Sequence, residues 1–241
     1  MKNLFEYTNR FMREHLDFAR ANMMGPNVIR LSEELVTYIP DNNPGRILDL
    51  GCGAGLSSIF LQRHYNAAVF AGDLWITPTE NHNRFEEFGA ENIIPLAVDA
   101  TKGLPFADEY FDILFSIDAY HYFGRTPEML PSLIPYVKIG GYIAIALPAW
   151  KSGVAGVPPE LKQYFANEED AASFQTIDWW RNLWSKAEGI EIIDCFEMSC
   201  CKEAWEEWLA SSHPVAVEDI GIMEAEQGKY FNFTALIAKR L

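Results

Sequence analysis

The stretch that most restricts this chain is Ile47-Leu48-Asp49-Leu50-Gly51-Cys52-Gly53-Ala54-Gly55, a short apolar run that ends in an acid and passes straight into a glycine-rich turn. Glycine is needed where a backbone turns sharply and must admit a ligand without a Cβ in the way. The run therefore reads as a buried strand that delivers a binding loop to the start of a helix. A glycine triplet alone is a weak signal, and its position directly after a strand strengthens it.

The rest of the chain repeats this rhythm. Apolar runs at 46–50, 68–73, 93–98, 111–117 and 141–147 alternate with helical periodicity, and further strands are expected at 190–195 and 230–238. Runs this apolar suit strands covered on both faces, and their alternation with helices predicts an α/β, doubly wound, seven-stranded sheet. Helix starts are marked by Thr77-Pro78-Thr79-Glu80, which offers a cap, a first-turn proline and a capping-box glutamate, and by Thr126-Pro127-Glu128. Two helices precede the sheet, one over 4–19 and one running from Pro26, placed in its first turn, to Pro40. The turn-rich Pro40-Asp41-Asn42-Asn43-Pro44-Gly45 closes this prelude. Segment 148–176 breaks the rhythm with Gly, Pro and Ala but carries Trp150, Tyr164, Phe165 and Phe174, which predicts an insertion that covers something. Helices are expected at 179–187 and 201–210.

Charge narrows the partners. With 34 acidic against 19 basic residues the formal net charge is -15, which repels nucleic-acid phosphates and anionic membranes and accommodates neutral or cationic ligands. The expected partner is a small molecule, with neither nucleic acid nor stable membrane association. Four cysteines, two of them the adjacent Cys200 and Cys201, are poorly spaced for a disulfide framework, which suits a reducing, cytoplasmic setting. The N-terminal Met1-Lys2-Asn3-Leu4-Phe5-Glu6-Tyr7 has no apolar leader, and no stretch approaches the ~20 apolar residues of a membrane helix. Thiolates of Cys195, Cys200 and Cys201 suit soft metals, but small buried hydrophobes on a strand and its exit explain them better, and no metal site is expected.

Further features fall where a nucleoside site on such a sheet needs them. Asp73 ends the second strand, where a carboxylate can accept from both ribose hydroxyls, and Asp99 ends the third, where it can accept from an exocyclic amine. Leu104-Pro105-Phe106-Ala107-Asp108-Glu109-Tyr110-Phe111 then feeds the fourth strand.

At these motifs, over about 45–147, the chain closely resembles the class I S-adenosylmethionine-dependent methyltransferases, a Rossmann-like family. The resemblance implies S-adenosyl-L-methionine as cofactor, with Asp49, Gly51, Cys52 and Gly53 at its methionine end. Asp73 would hold the ribose with Leu74 and Trp75 packing on the adenine, and Asp99 and Ala100 would read the adenine edge. Ser116, Ile117 and Asp118 would face the methionine moiety and the substrate. One domain of 241 residues follows: an N-terminal helical lid (1–40), a cofactor-binding core (45–147), a cap insertion after strand five (148–177), and the last of the sheet with a helical insertion (178–241). The prelude and Ala204-Trp205-Glu206-Glu207-Trp208-Leu209 also look, more loosely, like a subgroup named for cyclopropane-fatty-acid synthases. The strong negative charge disfavours the anionic-membrane affinity such lipid chemistry needs.

A sulfonium methyl is already activated, so positioning and exclusion of water can suffice, and a base is needed only for an acceptor that starts protonated. His121, just past the fourth strand, is the best candidate base, with Asp118 and Tyr120 in the same turn able to orient a polar substrate. Tyr7, Trp150 and the later tryptophans are candidates for an aromatic cage that would favour a cationic amine, and the prelude aromatics could serve a lid or a homodimer contact. Two rivals remain: a nicotinamide oxidoreductase, whose third glycine would fall at Leu56, and a non-catalytic cofactor-binding protein.

Overall fold

A computed structural model describes residues 4–40, 43–165 and 172–241; Met1, Lys2, Asn3, Asp41, Asn42 and 166–171 of the expected insertion lie outside them. The eight strands are β1 (Arg46–Leu50), β2 (Ala68–Asp73), β3 (Ile93–Ala97), β4 (Phe111–Ile117), β5 (Val137–Trp150), β6 (Gln175–Thr176), β7 (Ile190–Glu197) and β8 (Phe231–Arg240). They form one sheet in the order β3-β2-β1-β4-β5-β8-β7, with the two-residue β6 paired to β5. β8 runs antiparallel to both its neighbours and the pairs β1–β2, β1–β4, β2–β3 and β4–β5 are parallel, so the expected doubly wound α/β sheet of seven strands is present with one short addition.

Alternate residues of each strand feed two cores, as the two-residue period of a strand demands. Ile47, Ile113 and Phe115 face helices α1 (Glu6–Glu14), α3 (Val28–Val36), α4 (Leu56–Tyr65) and α5 (Pro78–Phe88), while Leu48, Leu114 and Ile143 face α7 (Met129–Leu133) and α8 (Ile177–Trp184). Each fully buried side chain of this kind contributes roughly 1.5–3 kcal/mol, which fixes the strand edges that carry the site. Helices α9 (Cys201–Leu209) and α10 (Pro214–Glu226) follow β7, and Trp208 of α9 packs into the first core.

Several local expectations shift. The prelude holds two helices before α3, because the first breaks at His15 and resumes as α2 (Leu16–Asn22). α3 starts after Asn27, whose side chain accepts from Ile29 N at 3.0 Å; Pro26 therefore precedes the cap instead of occupying the first turn. Thr77 does form the capping box with Glu80. Thr126 caps nothing: α7 begins at Met129 with no side-chain cap. β5 runs past Pro148, which stays in register opposite Phe233, so the strand carries Trp150 to the edge of the insertion. α10 was missed because its apolar residues show no one-sided stripe, although Pro214 in its first turn and His213 accepting from Val215 N at 3.2 Å are ordinary start signals. No helix among the described residues is long and apolar enough to cross a membrane.

Candidate active site

The carboxyl ends of β1, β2, β3 and β4 open on one cavity of about 540 Å³, the edge at which open α/β sheets bind ligands. Its floor is the turn after β1. Gly51 has φ +77°, and a Cβ there would lie 2.3 Å from that of Ala119, so the turn needs glycine for both its backbone conformation and its close approach to the chain after β4. Gly51 N and Cys52 N donate to Gly72 O at 2.7 and 3.1 Å, which ties the turn to the end of β2.

Asp49 sits behind this turn and does not line the cavity. It is fully buried, and its Oδ2 accepts from Ser57 Oγ and Ser58 Oγ at 2.6 and 2.7 Å, pinning the first turn of α4. Burial raises its carboxyl to about 6 against the two serine bonds. Its role is to shape the loop, in contrast to the direct ligand contact the resemblance implied. Ser116 is likewise buried beneath the turn, outside the lining.

Asp73 lines the cavity, accepting from Gly53 N at 2.8 Å through Oδ2 and from Trp75 N and Ile76 N at 2.7 and 2.9 Å through Oδ1. A carboxylate has about four acceptor positions, so one is left, on Oδ2; accepting both ribose hydroxyls would require release of the Gly53 N–H. Asp99 also lines it. The Thr101 hydroxyl and N–H at 2.6 and 3.0 Å and Lys102 at 3.0 Å hold its carboxyl down to about 2, so it is an anion at any working pH. Leu74, Trp75, Ala100, Gly51, Cys52 and Gly53 border the same space. Leu74 and Trp75 are exposed, and the Trp75 ring meets Tyr122 edge-on at 5.1 Å across the mouth.

The residues after β4 divide. Asp118 lines the cavity together with Ala119, Tyr122 and Phe123. Tyr120 does not: its fully buried ring packs among Phe123, Trp180 and Trp184 in the second core. His121 is also outside the lining, with its ring 3.9 Å from Tyr122 and 6.1 Å from Phe174. Burial and the Arg125 charge depress its imidazole to about 3, so it is neutral near pH 7 and a weak base, contrary to the expectation that it would be the best one. The helix α6 (Tyr120–Phe123) turns successive side chains to different faces, and the tryptophans of α8 claim the one that Tyr120 occupies.

The lid expectation is also redrawn. Tyr7 packs edge-on against Phe60 at 5.0 Å in the first core; the prelude reaches the cavity instead through Asn22, Met24, Gly25 and Val28, at the break between α2 and α3. Gly25-Pro26 was the available signal for that break. No described residue of 148–177 borders this cavity: Trp150 stacks on Phe231 and helps line a separate one. Trp179, Trp180 and Trp184 belong to the second core, so the expected aromatic cage is not built from these residues. Cys195 and Cys201 are pushed up to about 11 and 12 by burial, as inert thiols are. Leu56, where a nicotinamide enzyme would place its third glycine, is buried at the start of α4.

Comparison with known proteins agrees with this geometry. Residues 47–141 match the family described as a methyltransferase domain. The methyltransferase GfsG of Streptomyces halstedii is 23% identical over 171 residues, covering 70% of this chain and 61% of that protein. The chain spans half to three fifths of the length of curated relatives of this kind. Phosphoethanolamine N-methyltransferase 2 of Haemonchus contortus, solved with S-adenosyl-L-methionine, superposes with a TM-score of 0.72 at 18% identity, covering 96% of this chain and 59% of that one. The [4+2]-cyclase SpnF superposes with a TM-score of 0.70 at 15% identity, covering 97% and 94%. The match over residues 47–141 and the curated relatives, together with the order of the motifs on the sheet, support a class I S-adenosylmethionine-dependent methyltransferase domain in this chain.

Proposed function

We propose that this chain binds S-adenosyl-L-methionine in the cavity at the carboxyl ends of β1 to β4 and methylates a small acceptor bearing a basic amine. The observation that carries the reading is the convergence of the Gly51–Gly53 turn, Asp73 and Asp99 on one cavity of about 540 Å³, within the range of sites that hold small molecules. When bound, the cofactor supplies an activated sulfonium methyl. The chain's own residues orient and desolvate. The free acceptor position on Asp73 suits a ribose hydroxyl, Asp99 suits an exocyclic amine, and the backbone of the glycine turn can approach a ligand without side chains between. Apolar walls from Met24, Val28, Ile117 and Phe123 exclude water from the remaining space, which is what positioning catalysis needs.

The choice of an amine is supported by the lining. It contains Asp73, Asp99 and Asp118 and, among the described residues, no Lys, Arg or His. Such a wall repels carboxylate or phosphate acceptors and attracts a cation, and the Tyr122 and Phe123 rings offer faces for one. SpnF shows that a shared fold does not set the reaction, so activity is tested directly. Calorimetry with S-adenosyl-L-homocysteine should give micromolar binding, and labelled methyl groups should pass to benzylamine but not to benzoate or a fatty acid. Failure to bind the demethylated cofactor removes the reading, and transfer to the acids alone removes the amine.

A further inference from the structure

We propose that Asp118 is the acceptor-side catalytic residue: it binds the ammonium group of the incoming amine and takes its proton, so that the nitrogen meets the methyl group as a free base. This rests on the proposed methyl transfer and adds the group that prepares the acceptor. Asp118 follows the last residue of β4, and its N–H donates to Ala146 O at 2.8 Å, so its backbone is held by β5. Its φ of +58° is left-handed, a conformation that costs a non-glycine residue energy and recurs where a side chain must be presented at a site. The carboxylate reaches the chain break between α2 and α3: a Cβ on Gly25 would lie 2.5 Å from Oδ2. Gly25 thus makes room for this carboxylate, and any larger residue would displace it.

Three features distinguish Asp118 from the other acids of the cavity. Asp73 and Asp99 have their oxygens engaged by backbone, hydroxyl or lysine donors, whereas no hydrogen bond or ion pair involving the Asp118 side chain is found among the described residues. The charged group facing it is the carboxylate of Asp219 on α10, itself fixed by the Trp208 Nε1–H at 2.8 Å. Around it, Gly25 of the prelude approaches the carboxylate and Ala146 of β5 holds the backbone. Burial and the Asp219 charge together lift the Asp118 carboxyl to about 8, so the carboxylate form that can take a proton predominates above about pH 8 and is favoured below it by a bound ammonium.

The proton count closes. With Asp118 ionised, its own proton released to water above about pH 8 or on arrival of the cation, an acceptor R–NH3+ gives one N–H proton to the carboxylate; the freed nitrogen pair forms the N–CH3 bond as the methyl–sulfur bond breaks and its electrons stay on sulfur. The product is R–NH2–CH3+, and Asp118 returns its proton to water when the product leaves. In an apolar cavity the neutral acid and amine are favoured over the separated ion pair, which frees the nitrogen lone pair.

The test is calorimetry of the full chain with benzylamine, benzyl alcohol and S-adenosyl-L-homocysteine, at several pH values and in buffers of different ionisation enthalpy. Asp118→Asn keeps the left-handed backbone, since asparagine tolerates it, and removes the charge. The expected result is at least a tenfold loss of benzylamine affinity, about 1.4 kcal/mol, loss of the proton exchange coupled to binding, and affinities for benzyl alcohol and S-adenosyl-L-homocysteine within about twofold of the parent. Gly25→Ala should weaken benzylamine in the same selective way without altering the carboxylate itself. Should both variants bind benzylamine as the parent does, or should the parent bind S-adenosyl-L-homocysteine but no benzylamine, Asp118 does not have this role while the cofactor reading stands. Absence of S-adenosyl-L-homocysteine binding to the parent would instead remove the reading beneath it.

Discussion

The carboxylate of Asp73 accepts the N–H of Gly53 at 2.8 Å, joining the end of β2 to the turn after β1. Two motifs 20 residues apart in the chain are therefore one structural unit, and a ligand that takes the remaining acceptor position on Asp73 touches both. The arrangement makes Asp73 a ligand contact and a loop brace at once.

Asp73→Ala should consequently cost more in binding than loss of one ligand hydrogen bond. A bond to a charged group is worth about 1.5–3 kcal/mol, so S-adenosyl-L-homocysteine affinity should fall at least tenfold, while Asp73→Asn, which keeps an acceptor oxygen, should fall less. Calorimetric titration of both variants measures the order; equal losses would show that the brace contributes nothing.

Gly51→Ala should be severe for a different reason. Alanine at φ +77° is strained, and its Cβ would meet Ala119 at 2.3 Å, so the turn and the chain after β4 cannot both stay in place. A destabilisation of about 2–4 kcal/mol in urea unfolding is expected, accompanied by loss of cofactor binding.

The Asp118 carboxyl, at about 8 in the folded chain against an ordinary 3.8, keeps a proton that the unfolded chain has released at every pH between those values. The folded state then binds more protons than the unfolded one, and this group's contribution to stability falls as pH rises from about 4 to about 8. Asp118→Asn lacks that dependence. Its stability relative to the parent should rise by about 1–3 kcal/mol between pH 5 and 8 in paired urea titrations. A constant difference would place the carboxyl near its ordinary value.

His121→Phe should leave the pH dependence of methyl transfer unchanged near pH 6–7 and keep kcat/KM within about threefold, since the imidazole is neutral, buried and outside the cavity lining. Loss of an ionisation in that range would return the histidine to the reaction.

Much of this was legible in residue order. The bounds of β1, β2 and β4 coincide with the apolar runs, and Asp73, Asp99 and the Gly51–Gly53 turn reach one cavity from their positions at strand ends. Strand period, glycine turns and the rule that ligands gather at the carboxyl edge of such sheets are local properties, carried by a few adjacent residues each. The acceptor side was not legible in the same way. Asp118, Tyr120 and His121 lie within four positions of one another, and nothing local says which of them meets a substrate. Burial of Trp180 and Trp184 drew Tyr120 into the core, and the left-handed backbone of Asp118 itself turned its side chain to the cavity. Gly25 and Asp219, nearly 200 residues apart in the chain, supplied the room and the charge around it. Contacts between segments so distant depend on how whole faces pack, which no short window of sequence contains.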